Sequence, residues 1–418
     1  MENTTYKSPF LQEAQARGYI YQSTHPEALD QAFLEGPVSA YIGFDPTADS
    51  LHVGHALCLM VLRLMQRHGH RPIALVGDGT AQIGDPSFRE EARSLMTAET
   101  IAQNSEGVAR SLRQFLDFDG AESSALMLHN AAWLNRLTYL DLLRDVGVHF
   151  SVNRMLSFDS VRQRLEREQG LTFLEFNYSI LQSYDFRALN RAEGVTLQIG
   201  GSDQWGHIVA GVELVRRTES KQVFGLTLPL ITTASGAKMG KSAQGARWVL
   251  AEKLPIFEYW QFWRNTEDAD VGRFLKMFTD LPVAECERLG ALEGTEINDA
   301  KKILATEATT ICHGHASAEE AAQTAMATFE QGRLSTSLPT ISLARHVLEE
   351  GLPAYRIFVE TGLVKSGGEA RRLIRGGGAR LNDVVVSDEN QTVTLNDLSE
   401  GVLRVSSGKK HHVIIKPE

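Results

Sequence analysis

Two short apolar runs with a helical pattern between them constrain this chain more than any other feature. Val38–Phe44 (VSAYIGF) reads as a buried strand closed by Asp45-Pro46. Helical spacing follows from Leu51 to His68, with Leu57, Leu59, Met60, Leu62 and Leu64 apolar and Asp49 or Ser50 as the cap. Pro72–Gly77 (PIALVG) is a second strand, and a Gly-rich stretch then runs to Asp85-Pro86. Strand, helix and strand at these lengths form a βαβ unit, so a parallel sheet with a right-handed crossover is expected. Val195–Gly200 (VTLQIG) adds another strand ending in glycines. The class is α/β.

At 418 residues the chain is too long for one small core, and two or three domains are expected. Ala131–Arg167 is helical in pattern and apolar on one face (Trp133, Leu137, Leu140, Leu143), as an insertion between two halves of the sheet. That stripe is either core or a subunit interface. Leu254–Phe329 is helical again, and Gln331–Pro339 is poor in apolar residues, as a linker is. Gly351–Glu418 mixes a helical run (Glu369–Arg375) with strands at Asp383–Val386, Val402–Val405 and Val413–Ile415. Ser366 and Glu369 have capping-box spacing, and Gly376-Gly377-Gly378 ends the helix. Arg371, Arg372 and Arg375 share one face of it. The expected division is 1–235 for the sheet with its insertion (about 131–190), 236–330 for a helical domain, 331–350 for a linker and 351–418 for a small α+β module.

Net charge is −10, which by itself disfavours nucleic acid. From Gly351 onward, however, ten Lys/Arg face eight Asp/Glu, so the remainder carries 32 against 44. An acidic body with a basic tail suits RNA contact through the tail, and equally a plain solvated surface. Three widely spaced cysteines (Cys58, Cys286, Cys312), a polar stretch from Met1 to Gly18 and no long apolar run lead us to expect a cytoplasmic setting with no membrane span.

His52-Val53-Gly54-His55 places two imidazoles three apart at a helix opening, where backbone N–H groups already favour anions. Such a pair also suits a metal, but a third ligand is needed and no HExxH or CxxC accompanies it. Gly54 lets a flat group approach the backbone. Lys238-Met239-Gly240-Lys241-Ser242 supplies two more cations on a Gly-hinged loop. It is no Walker A loop: Ser235 stands where that loop needs Gly, and the motif lies deep in the chain. Two lysines and two histidines are the means to handle a triphosphate, so ATP is the expected ligand. Tyr178, Gln182 and Asp185 fall on one helical stripe, either a polar surface or the wall of a pocket that takes an ammonium and a hydroxyl. Gly200-Gly201-Ser202-Asp203-Gln204 follows a strand, where a carboxylate suits ribose hydroxyls. Cys312-His313-Gly314-His315 lacks the second half of a zinc site and reads as structural. No metal-ligating set is assigned.

With these motifs in place, the chain resembles the bacterial tyrosyl-tRNA synthetases, class I enzymes, over nearly its whole length. Tyr41–Thr47 running into His52–His55, Ile83–Ser87, Tyr178–Asp185 and Gly200–Trp205 carry the resemblance, and the lysine loop is similar to the KMSKS signature. The resemblance implies a Rossmann-like catalytic domain, an α-helical domain and an S4-like C-terminal domain. It implies that Tyr41 and Asp185 bind the phenolic hydroxyl of tyrosine, while Tyr178, Gln182 and Asp85 hold its ammonium group. His52, His55 and Thr47 would meet the ATP phosphates, with Lys238, Lys241 and Ser242 closing from the loop. Gly54, Gly201 and Asp203 would take the nucleoside, and Asp45 and Gln204 would line the reacting centre. Arg89 and Arg93 would act from a second loop, and Arg371, Arg372 and Arg375 would grip tRNA. ATP as substrate, Mg²⁺ with the phosphates, L-tyrosine, tRNA(Tyr) and a homodimer follow from the same resemblance. The sequence departs from the family at His207, where Asn is expected after Trp-Gly, and at Arg89, where Lys is frequent. Two rivals remain at this point: a tryptophanyl relative, which would lack the Tyr41/Asp185 pair, and a non-catalytic RNA-binding protein, which would tolerate loss of the lysines and histidines.

Overall fold

The structure is a computed structural model describing residues 4–85, 87, 95–120, 124–167, 170–236, 239, 241–242, 245–329, 338–399, 401–408 and 411–418. The chain divides into two compact units, Met1–Leu254 with Gln261–Gly314, and Pro255–Trp260 with His315–Glu418.

In the first unit six strands form one sheet: β1 (Gln22–Ser23), β2 (Ser39–Phe44), β3 (Arg71–Val76), β4 (Leu126–His129), β5 (Leu197–Gly201) and β6 (Phe224–Leu228). Their order is β1-β6-β5-β2-β3-β4. Strands β2 to β6 pair in parallel, and the short β1 joins β6 antiparallel. The expected βαβ unit is present, with helix α1 (Ala56–Arg67) crossing from β2 to β3. Eight of its twelve residues are buried, Leu57, Leu59, Leu62 and Leu64 among them. Each such leucine contributes roughly 1.5–3 kcal/mol by leaving water. The cap is neither Asp49 nor Ser50. A 3-10 turn, Val53–His55, leads into α1, and His52 caps that turn, its Nδ1 accepting the Gly54 N–H at 3.0 Å, while His55 precedes α1 without a side-chain cap bond.

Between β4 and β5 the chain is helical, ending in α2 (Tyr178–Glu193), which packs on α3 (Trp205–Glu219). Tyr41, Ile73, Leu75, Phe186, Leu189, Val212 and Val215 form the core between these helices and the sheet. The apolar stripe expected over 131–167 splits. Leu140 and Val148 are 69% and 71% exposed, whereas Trp133 turns inward to hydrogen-bond Asp185. The helices within Gln261–Gly314 belong to this same unit. Arg17, 1% exposed, ties them down by donating to the carbonyls of Lys276, Thr279 and Leu281 at 2.9 Å each.

The second unit carries a five-stranded sheet, and Leu348, Ile357, Phe358, Ile374, Val405 and Ile415 are in its core. Thr340–Leu343 pairs in parallel with His411–Pro417, and Arg345–Glu350 is a helix. Residues 340–350, expected in a linker, are therefore structured: Ile341 and Leu348 give this stretch apolar residues to bury, which the polar run before it lacks. Residues 330–337 lie outside the described residues. Helix α4 (Gly367–Arg375) is capped by Ser366, which accepts from Glu369 N at 3.3 Å, but the return bond goes from Lys365 N to Glu369 at 2.8 Å.

Candidate active site

The described residues assigned to tyrosine and the nucleoside gather around the carboxyl ends of β2, β3 and β5, next to the point where strand order reverses, which is where open parallel sheets bind ligands. Strand β2 carries Tyr41 into the core, 1% exposed, its ring 5.5 Å from Phe186. The Tyr41 hydroxyl has no hydrogen-bond partner among the described residues. A buried hydroxyl left unpaired costs about 1–3 kcal/mol, so this one is set to receive a ligand atom. Burial and then the Asp185 charge push its phenol well above the ordinary value.

Asp185, from the middle of α2, accepts from Asn130 Nδ2 at 3.0 Å and from Trp133 Nε1 at 2.7 Å. Burial pushes its carboxyl up to about 7 in spite of those two donors. Asn130 is itself fixed, accepting from Gly79 N at 2.7 Å and donating to Thr80 Oγ1 at 3.0 Å. Thr80 then donates to Asp45 Oδ1 at 2.7 Å, and the Tyr178 hydroxyl donates to Asp45 Oδ2 at 2.9 Å. A Cβ on Gly77 would lie 2.0 Å from Asp45 Oδ1, so only glycine fits beneath that carboxylate. Burial, followed by the Asp45 and Asp85 charges, holds the Tyr178 phenol well above its ordinary value.

Asp85 is the second carboxylate of the pocket. Its Oδ1 accepts from Ser87 N at 2.9 Å and its Oδ2 from Gln204 Nε2 at 2.8 Å. Burial pushes the Asp85 carboxyl up, but the adjacent His207 imidazole and the hydrogen bonds from Ser87 outweigh it and leave the group well below the usual range. Gln204 also reaches Asp203 at 3.3 Å, in the turn that follows Gly201 at the end of β5. Gln182 is half-buried between Tyr178 and Asp185 on α2, and Thr47 is exposed just past β2.

The two histidines stack with ring centroids 4.1 Å apart. Each accepts a backbone N–H at Nδ1, His52 from Gly54 at 3.0 Å and His55 from His52 at 3.3 Å. The neutral rings therefore carry their protons on Nε2, as donors suited to an anion. The segment after the lysine loop lies against this turn: His52 bridges Trp248, and Val53 N donates to Arg247 O at 2.8 Å. Met239, inside the loop, has its carbonyl 3.4 Å from where a Gly54 Cβ would sit. Lys241 and Ser242 form a short strand paired with Gly245–Ala246. Lys238, Arg89 and Arg93 lie outside the described residues.

In the second unit α4 presents the three arginines, two of them already engaged. Arg375 donates twice to Glu389 at 3.1 and 3.2 Å, while Arg371 lies 3.5 Å from the same carboxylate and 4.0 Å over the Tyr355 ring.

Sequence reasoning missed Gly77, Thr80, Asn130 and Trp133, and left His207 as an unexplained departure. Gly79 to Asn130 and Asn130 to Asp185 span 51 and 55 residues. No local spacing signals such a contact.

Residues 34–330 match the family model described as tRNA synthetases class I (W and Y). The chain is 71% identical to the tyrosine–tRNA ligase of Gluconobacter oxydans over 413 residues, covering 98% of this chain and 99% of that one. It is 57% identical to that of Rhodospirillum rubrum, covering 99% of each. A C-terminally truncated mitochondrial tyrosyl-tRNA synthetase from Aspergillus nidulans superposes with a TM-score of 0.71 at 29% identity, over 77% of this chain and 95% of that one. The chain belongs to the class I tRNA synthetases that handle tryptophan and tyrosine. Within that class it sits among the tyrosine–tRNA ligases: its reaction activates L-tyrosine with ATP, releasing pyrophosphate, and transfers tyrosine to the terminal adenosine of tRNA(Tyr). That excludes both rivals left open by the sequence. Among the described residues, no helix is long and apolar enough to cross a membrane.

Proposed function

We propose the following division of labour for that reaction. The phenolic hydroxyl of tyrosine lies between Tyr41 and Asp185, and its ammonium group meets Asp85, Tyr178 and Gln182. This leaves the carboxylate facing the end of β2, near Asp45 and Gln204. ATP lies across Gly54, with ribose on Gly201 and Asp203 and its phosphates on His52, His55 and Thr47. Lys238, Lys241 and Ser242 close from one loop, Arg89 and Arg93 from the other. The tyrosine carboxylate attacks the α-phosphorus in line, the bond to the bridging oxygen breaks, and the electron pair leaves with pyrophosphate. No protein nucleophile is needed. Positioning and stabilisation of the charge on the departing pyrophosphate lower the barrier.

Among the described residues no cluster of three or more His, Cys, Asp or Glu could hold a metal ion. Mg²⁺, which neutralises phosphate charge when bound, would sit with the ATP phosphates. The C-terminal unit would serve as an S4-like tRNA grip through Arg371, Arg372 and Arg375. The exposed Tyr139, Leu140, Leu143, Val148 and Val152 would be covered by a second copy of the chain. The setting would be the cytoplasm.

The unpartnered, buried Tyr41 hydroxyl close to Asp185 carries this reading. Phenylalanine, lacking a hydroxyl, would leave both groups unpaired in a dry pocket. Pyrophosphate exchange by Tyr41→Phe should therefore show a higher ratio of phenylalanine to tyrosine use than the parent enzyme. An unchanged ratio would remove Tyr41 from the specificity pocket.

A further inference from the structure

His207 has no role in the division of labour above, yet it is built into the pocket. It lies on α3, 3% exposed, with its ring centroid 5.6 Å from that of Tyr178. Its Nε2 is 3.1 Å from Ser87 Oγ and 3.6 Å from Asp85 Oδ1. Its Nδ1 is buried and has no partner among the described residues. A proton on Nδ1 would be a buried donor without an acceptor, and it would turn the Nε2 lone pair toward a carboxylate. Charging both nitrogens would still strand the Nδ1 proton. The form with one proton, on Nε2, avoids both costs. It donates to Ser87 Oγ, whose own proton is then available to Asp85.

We propose that His207 is a positioning residue for amino-acid binding. As a neutral Nε2–H donor it fixes the Asp85 carboxylate through Ser87, turned to receive the substrate ammonium, without cancelling its charge. An Arg or Lys in the same place would supply the donor but neutralise the carboxylate that the ammonium needs. Gln204 holds the other Asp85 oxygen at 2.8 Å, so Gln204 on one side and Ser87, backed by His207, on the other clamp the carboxylate from both ends. This inference rests on the assignment of Asp85 to the ammonium group.

The test uses the full-length enzyme and two competitive inhibitors of pyrophosphate exchange. Tyramine has the ammonium but no carboxylate, and 3-(4-hydroxyphenyl)propionate has the reverse. His207→Ala should raise the tyrosine KM and the tyramine Ki about tenfold, the effect of loosening one charge-assisted contact. The propionate Ki and the ATP KM should stay within about twofold, since neither ligand uses Asp85. His207→Gln, whose Nε2 amide lies the same number of bonds from Cβ, should restore tyramine binding. Equal weakening of both inhibitors, or of neither, would overturn the proposal, as would failure of Gln to rescue. Asp85→Asn separates the two layers: if it leaves the tyramine Ki unchanged, the assignment of Asp85 itself falls, whatever His207 does.

Discussion

Asp185 is a carboxylate held in an apolar pocket, and its energetic cost can be measured. An aspartate in the unfolded chain titrates near ~3.9, whereas in the folded protein burial pushes this one up to about 7. Folded Asp185 thus keeps its proton across a range where the unfolded chain has lost it. Its contribution to stability is most favourable below about pH 4, declines as pH rises, and levels off above about pH 7. Integrating the two titrations between about pH 5 and pH 8 gives a loss on the order of 2.5 kcal/mol. Asp185→Asn cannot titrate, so it escapes that loss. The substitution also rearranges the Asn130 and Trp133 hydrogen bonds, but that offset is nearly independent of pH and cancels in the comparison. For a unit of about 300 residues the loss corresponds to roughly 4 °C in Tm. Calorimetry of both proteins at about pH 5 and pH 8 should show the variant gaining about that much on the parent at the higher pH. Parallel pH profiles would mean that Asp185 titrates normally and that the pocket does not desolvate it.

Two further outcomes follow from the division of the chain. Truncation after residue 337 should leave pyrophosphate exchange within about threefold of the parent, while tRNA charging falls by on the order of a hundredfold or more, because the arginines proposed to grip tRNA phosphates are removed. Equal loss of both activities would contradict the separate roles. Leu140→Asp, on the exposed apolar face, should convert a dimer to a monomer at micromolar concentration in analytical ultracentrifugation, since an unpaired charge in an interface core costs several kcal/mol. A parent protein that sediments only as a monomer would refute the interface.

The sheet was legible where apolar runs met turn residues. Val38–Phe44 and Pro72–Gly77 come within one residue of β2 and β3, because Asp45-Pro46 and Gly77 end each strand locally. Pairing over long distances was not legible. Trp133 looked like one more member of a surface stripe, since its sequence neighbours are apolar at helical spacing, but its indole reaches an aspartate 52 residues away. The helix start was misplaced because a 3-10 turn precedes α1, capped by a histidine ring, a rarer cap than the nearby Asp49 or Ser50; the same imidazole serves as cap of that turn and as the donor assigned to phosphate. Helical spacing placed Arg371, Arg372 and Arg375 on one face, while the pairing of Arg371 and Arg375 with Glu389 depends on folding of the module.

The central claim is that an imidazole donor and a lysine cation from two distant stretches act on one leaving group, as the bridge from His52 to Trp248 favours. A double-mutant cycle tests it directly. His52→Asn keeps a side-chain acceptor at the cap and removes the Nε2 donor, and Lys241→Ala removes the ammonium. Single-turnover rates of tyrosyl-adenylate formation should fall in each, and the double variant should depart from the product of the two losses by about fivefold or more, a coupling on the order of 1 kcal/mol. Losses that multiply to within about twofold would show the histidine and the lysine working on separate groups.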